Sequence, residues 1–210
     1  LARLPPETPP LGPDQHVGRP LEDEVRQRDA LERGREDEEA VLAVLRKGTM
    51  SGTDVTVEFE KEFAAWQQRR YAVGYNNGTS AVQAALFACG LGRGDEIICP
   101  SITYWASCLP VYTLRGTVVF ADIDPKTMCI DPNDIEHRIT AKTKAIMPVQ
   151  LNGRTCDMTA IQNIADQHGL IVIEDSAQAL GSRFKGKCAG TFGKAGTFSL
   201  YPAKLLGCFG

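Results

Sequence analysis

One lysine, Lys204, stands among apolar, small and hydroxyl residues in "GTFSLYPAKLLGCFG", residues 196–210. A lysine in apolar surroundings tends to give up its proton, which makes it a nucleophile able to form an imine with a carbonyl compound. Ser199 lies five residues before it, and Gly207 and Gly210 follow. The ordinary alternative is a surface lysine whose stem packs while its head stays in water.

Two further stretches carry chemistry. "LIVIEDSAQALGS" is a continuous apolar run ending in Glu174 and Asp175. A carboxylate at the end of a buried strand stays charged at a cost unless a cation meets it; a protonated ring nitrogen would, and so would an ion pair or a helix end in need of a cap. "NNGTSAVQAAL" places Asn76, Asn77 and Gly78 before a helical pattern opened by Thr79 and Ser80. Free N–H groups and the positive end of the helix dipole make an anion site there, and Gly78 would let a phosphate approach the backbone. Simple capping by Thr79 or Ser80 is the alternative.

Taken together, the three stretches describe one ligand: an anion at a helix start, a cationic nitrogen facing a carboxylate, and a carbonyl meeting an amine. Pyridoxal 5′-phosphate has a phosphate, a pyridine nitrogen and an aldehyde. The protein's part would be to keep that nitrogen protonated and to orient the aldehyde carbon.

These residues need elements to position them. Residues 1–36 are rich in proline and mixed charge, and read as a disordered or loosely helical extension. A helix is expected from about Glu36 to a stop at Gly48. A second is expected in "VTVEFEKEFAAWQQRR", with Phe59, Phe63 and Trp66 packed on one face. From Tyr71 onward, strands alternate with helices. The strands are "YAVGYN", "DEIICP", "VVFADI", "KAIMPVQ", "LIVIED" and "AGTFSLY"; the helices are "TSAVQAALFACG", "TYWASCLPVYTLRG", "DPNDIEHRIT" and "MTAIQNIADQHG". Apolar runs without alternation suit strands buried on both faces, so the expectation is an α/β fold with a mostly parallel, doubly covered sheet. Ligands of such sheets sit beyond the carboxyl ends of the strands. "GLGRGDE" at 90–96 looks like a nucleotide loop, but it follows a helix and precedes a strand, so it reads as a helix stop and turn.

With 210 residues, 43% of them hydrophobic and 23% charged, the chain has the composition of a globular protein. A net charge of −3 argues against nucleic acid. There is no apolar run of membrane-spanning length and no signal-peptide pattern at the start. Seven cysteines, none spaced C-x-x-C, read as free buried thiols in a reducing, cytoplasmic setting. The dispersed histidines and cysteines offer no metal-ligand spacing.

From about Gly48 to Gly210 the chain closely resembles the DegT/DnrJ/EryC/StrS family of sugar aminotransferases. The resemblance is carried by "NNGTSAVQAAL", "GLGRGDEIICPSITYWAS", "ADIDPKTMCIDP", "TKAIMPVQLNGRTCDMTAI", "IEDSAQALGS" and "GTFSLYPAKLLGCFG", in order. It implies the aspartate-aminotransferase-like fold, fold type I: residues 37–210 as a large pyridoxal-phosphate-binding domain, with a smaller C-terminal domain expected beyond the last residue. It implies Lys204 as the Schiff-base lysine, Asp175 as partner of the ring nitrogen and Gln178 near the ring's 3-oxygen. Gly78, Thr79, Ser80 and Ser199 would hold the phosphate, and Tyr104 would stack on the ring, with Trp105 as a second candidate.

The family's reaction takes an amino group from glutamate or glutamine and gives it to a keto-sugar, often nucleotide-linked, or to a cyclitol; the full-length protein would be a homodimer. Relatives with histidine in place of the lysine act as dehydratases, which Lys204 argues against, and the "DSAQALGS" and "SLYPAK" contexts disfavour a decarboxylase or lyase. A non-catalytic cofactor-binding or regulatory module of the same fold is the other reading. Two departures touch the expected site: many members have histidine where Gln150 stands and serine where Asn77 stands. Both positions are expected to line or approach the cofactor.

Overall fold

The structure, a computed structural model, describes residues 35–48 and 54–208. Most of the expected extension, residues 1–34, and the terminal Gly210 lie outside the described residues. The chain divides into two compact units, Leu1–Met50 and Ser51–Gly210. In the first, α1 spans Arg35–Lys47, with Glu36, Asp37 and Glu38 in its first turn and Arg46 and Lys47 in its last. That order of charge complements the helix dipole. Gly48 follows in the left-handed region, φ +68°, the expected stop.

The second unit begins with α2, Asp54–Trp66. Its aromatic face forms as expected: Phe63 lies 5.6 Å from Phe59 and 5.8 Å from Trp66 between ring centroids. Phe63 also meets Phe198 edge-on at 5.2 Å, which ties α2 to the segment leading into Ser199.

The sheet that follows has five strands: β1 (Glu96–Pro100), β2 (Thr117–Ala121), β3 (Thr143–Ile146), β4 (Ile171–Asp175) and β7 (Ala195–Thr197). Their order is β2-β1-β3-β4-β7 and every pairing is parallel, as the unalternating apolar runs require. A two-stranded antiparallel hairpin, β5 (Arg183–Phe184) with β6 (Lys187–Cys188), interrupts the run between β4 and β7. The helices are α3 (Gly78–Ala88), α4 (Leu109–Thr113), α5 (Pro132–Arg138) and α6 (Met158–His168).

Two apolar layers cover the sheet. One joins Val82 and Leu86 of α3 and Val111 of α4 to Ile97, Cys99, Ala145 and Ile173. The other joins Ile135 of α5 and Ile161 and Ile164 of α6 to Ile98, Ile146 and Val172. Neighbouring strand residues therefore feed opposite layers, as the pleat dictates. Along β4, Val172 faces α6 and Ile173 faces α3. The alternation continues to the strand's charged end.

Three expected elements differ. "YAVGYN" forms no strand, and Tyr71, Val73 and Tyr75 are exposed; a strand needs a hydrogen-bonded neighbour, and its composition does not supply one. "TYWASCLPVYTLRG" is no single helix but a 3₁₀ turn, Trp105–Ser107, followed by the five-residue α4. Pro110 stands at the start of α4, where it can begin a helix but not continue one. "AGTFSLY" is a strand only over β7. The glycine-rich loop is the helix stop and turn expected: Gly90 and Gly94 have φ of +81° and +88°, and the Gly92 N–H donates to Asp95. All seven cysteines are free; six are buried and Cys208 is exposed, unlike the expectation. Among the described residues no helix is long and apolar enough to cross a membrane.

Candidate functional site

β4 and β7 lie side by side, and their carboxyl ends bring the expected residues together. Asp175 closes β4 and is 5% exposed. It follows Glu174, so it faces the α3 side of the sheet. Its Oδ2 accepts a hydrogen bond from Ser107 Oγ at 2.6 Å, and its Oδ1 accepts from the Ala177 N–H at 3.1 Å. Burial raises the proton affinity of this carboxyl above the ordinary aspartate value. The Ser107 hydroxyl, the Ala177 N–H and the positive charge of Lys204 pull it back down only in part.

Glu174 points the other way and has a different job. It is fully buried, and its carboxylate accepts from Gln150 Nε2 (2.9 Å) and from the N–H groups of Gly190 (2.8 Å), Phe192 (2.6 Å) and Gly193 (2.9 Å). Four donors satisfy a buried charge and pin the loop before β7 to the sheet. Gln150 is fully enclosed in this network; its Oε1 accepts from the Cys156 N–H at 2.7 Å. Its side chain is thus committed to the α6 side, away from Asp175. Of the expectation that Gln150 lines or approaches the cofactor, the side chain does not meet the first part, since its partner is Glu174, while the Gln150 N–H donates to the Asp175 carbonyl at 2.9 Å.

The anion site is built from α3. Asn77 is the N-cap, its side chain accepting from the Ser80 N–H at 2.8 Å. That corrects the capping alternative, which named Thr79 or Ser80. The first intrahelical bond is donated by Ala81, so the N–H groups of Gly78 and Thr79 have no acceptor within the helix. Gly78 packs on Ser199: a Cβ at position 78 would lie 3.0 Å from Ser199 Cβ and 3.4 Å from Ser199 Oγ. A helix start, a backbone without a side chain and a hydroxyl thus converge.

Lys204 is half-buried in a turn in which its own N–H donates to the Tyr201 carbonyl at 2.7 Å. Gln178 follows Asp175 by three residues; its side-chain oxygen accepts from the Asn152 N–H at 3.2 Å, and its carbonyl accepts from Gly153. Its amide nitrogen is left to donate elsewhere. Tyr104 and Trp105 are both more than half exposed, their ring centroids 5.3 Å apart on the turn that carries Ser107.

These residues fit pyridoxal phosphate. The absence of a Cβ at Gly78 lets the start of α3 pack against Ser199, which brings the free N–H groups and the Ser199 hydroxyl to one place where a phosphate could be held. Asp175 has used two of roughly four lone-pair sites, which leaves room for one more donor. A cavity of about 810 Å³ opens beside the site rather than at it. It is lined by Phe63, Gln67, Tyr75, Gly196 and Phe198, and shares Asn77 and Gly78 with the anion site but touches neither Asp175 nor Lys204.

Residues 32–210 match the DegT/DnrJ/EryC1/StrS aminotransferase family. The chain belongs to that family. It is 43% identical over 167 residues to the pleiotropic regulatory protein of Geobacillus stearothermophilus, covering 80% of this chain and 45% of that protein. It is also 43% identical over 175 residues to the L-glutamine:2-deoxy-scyllo-inosose aminotransferase of Streptomyces kanamyceticus, covering 80% of this chain and 41% of that one. Among solved structures it is similar to the PLP form of Spr1654 from Streptococcus pneumoniae. The TM-score is 0.68 at 31% identity, over 70% of this chain and 41% of that one. The chain therefore spans less than half the length of these relatives. The family's fold-type-I, aspartate-aminotransferase-like architecture accounts for the parallel sheet and its covering helices. Ser107 is the site residue that sequence reasoning missed. Its signal was Pro110, which breaks the long helix and frees the turn.

Proposed function

We propose that this chain carries the cofactor-binding core of a pyridoxal-phosphate-dependent aminotransferase. The reaction transfers an amino group from glutamate or glutamine to a keto-sugar, nucleotide-linked in the main reading, or to a cyclitol. The observation that carries the reading is Asp175: a buried carboxylate, held by Ser107 and the Ala177 N–H, within reach of the charge of Lys204. The S. kanamyceticus relative, whose name specifies a glutamine donor and a cyclitol acceptor, supports the substrate class.

When bound, pyridoxal phosphate supplies an aldehyde that takes up an amine covalently and a ring that accepts the electrons left when a proton departs. This chain's residues do the rest. Gly78, Thr79 and Ser80 at the start of α3, and Ser199 through its hydroxyl, would bind the phosphate. Asp175 would keep the proton on the ring nitrogen. The Gln178 amide nitrogen would donate to the ring's 3-oxygen, and Tyr104 would stack on the ring, with Trp105 the alternative. The Lys204 amine would hold the aldehyde carbon of the cofactor and, when free, would take the proton from the donor's α-carbon. A second subunit completes a homodimer, and the enzyme works in the cytoplasm.

The test is a half-reaction on the full-length protein. Loaded with pyridoxamine phosphate, it should regain the absorbance of the pyridoxal form when given a keto-sugar or keto-cyclitol. The G. stearothermophilus relative, named as a regulatory protein, favours a second reading, a cofactor-binding regulatory module. Cofactor bound in full, with no amino transfer to any keto-sugar or keto-cyclitol tried, would support that one.

A further inference from the structure

We propose that Ser107 is a positioning residue that acts through Asp175, and that Thr103 sets its direction; the inference rests on the cofactor reading above. The three groups form a chain. Thr103 Oγ1 lies 2.7 Å from Ser107 Oγ, and Ser107 Oγ lies 2.6 Å from Asp175 Oδ2. An ionised carboxylate only accepts, so Ser107 must give its single proton to Asp175. Its oxygen is then free to accept, and the Thr103 hydroxyl donates to it at 2.7 Å in preference to the Tyr104 carbonyl at 3.4 Å. While Asp175 is charged, every proton in the chain points toward the carboxylate.

That order matters because of where Asp175 sits. A carboxylate 5% exposed has little water to stabilise its charge, and burial pulls toward the neutral acid. A proton shared between Asp175 and a ring nitrogen can rest on either. The Ser107 hydrogen bond favours the charged carboxylate, and so leaves the proton on the nitrogen, where it draws electrons from the ring. Thr103 strengthens the bond by polarising Ser107.

The turn that holds Ser107 is itself fixed. The Ser107 N–H donates to the Tyr104 carbonyl at 3.0 Å and the Cys108 N–H to the Trp105 carbonyl at 3.0 Å. Ser107 is 1% exposed against the α3 side of the sheet. One 3₁₀ turn therefore carries both the aromatic candidates for stacking and the hydroxyl that orients the carboxylate. Ring position and ring-nitrogen protonation are set by the same five residues, 103–107.

The experiment uses the full-length holoprotein reconstituted with pyridoxal phosphate labelled with ¹⁵N in the ring, at neutral pH. The ring-nitrogen chemical shift reports where the proton lies. Wild type should show a protonated nitrogen. Ser107→Ala should bind the cofactor and move the signal toward the neutral nitrogen, with kcat for the amino donor down about 10- to 100-fold and KM little changed. Thr103→Val, which keeps the shape and removes the donor, should move the signal the same way by less, and it tests the idea even where Ser107→Ala fails to fold. A variant that binds the cofactor with the ring-nitrogen signal unmoved overturns the proposal alone. A wild-type protein that does not bind pyridoxal phosphate overturns the cofactor reading and the proposal with it.

Discussion

Glu174 and Asp175 are consecutive on β4 and both buried, yet their carboxylates face opposite layers of the fold and meet different fates. Glu174 accepts from four donors on the α6 side. Asp175 accepts from two on the α3 side, with its proton affinity raised by burial. The first arrangement is saturated and holds a loop in place. The second has capacity left for a ligand, and costs stability until one arrives.

That cost has a pH signature. A buried carboxyl with a raised folded-state pKa contributes stability fully present below its unfolded value, about 3.9, and lost as pH rises through the folded value. In the cofactor-free protein at neutral pH, Asp175→Asn should therefore be more stable than wild type, with the advantage shrinking as pH falls toward 4. Turnover should fall by about two orders of magnitude while cofactor content stays close to wild type, because the phosphate site is untouched. Thermal melts of both apoproteins across this pH range, with kcat and bound cofactor, check it. A less stable variant at neutral pH, or an unchanged rate, would show that Asp175 is only a cap.

Gly78→Ala tests the anion site. Alanine is the better helix former, but its Cβ would lie 3.0 Å from Ser199 Cβ and 3.3 Å from the Phe198 carbonyl. The start of α3 must move away from Ser199. Affinity for pyridoxal phosphate should fall about tenfold, a loss of roughly 1.4 kcal/mol, with little change in melting temperature. Calorimetric titration of the apoprotein that finds wild-type affinity would place the phosphate elsewhere.

Glu174→Gln should destabilise without touching the chemistry directly. A glutamine leaves one oxygen for donors that now occupy two, and sets an amide N–H₂ against other N–H groups. The loss should be on the order of 3 kcal/mol in denaturant unfolding, since buried unsatisfied donors cost about 1–3 kcal/mol each. A loss below about 1 kcal/mol would mean that the Gly190–Gly193 loop is held by other contacts, such as the Arg69 hydrogen bonds to the Thr191 and Gly193 carbonyls.

Much of this was legible because local chemistry decides it. The apolar run before Glu174 can only be a buried strand, and Asp175 at its end must face a crevice. Asn77-Gly78 before an apolar helical pattern marks a helix start, although which residue caps it depends on geometry that the string of letters does not contain. The failures are non-local. "YAVGYN" has strand composition but no neighbour among the described residues to pair with. Gln150 lies past the end of β3, at the entry to a 3₁₀ turn, and its side chain is held by Glu174 and the Cys156 N–H. Ser107 is 68 residues from Asp175 in sequence, and only the packing of a short turn on the sheet brings them to 2.6 Å.

Everything proposed for the site depends on Lys204 holding the cofactor covalently. Borohydride reduction of the full-length protein loaded with pyridoxal phosphate, followed by peptide mapping, tests it most directly. The reduced label should fall on Lys204, and Lys204→Ala should carry none. A label on Lys194 or Lys185 in the wild type would contradict it.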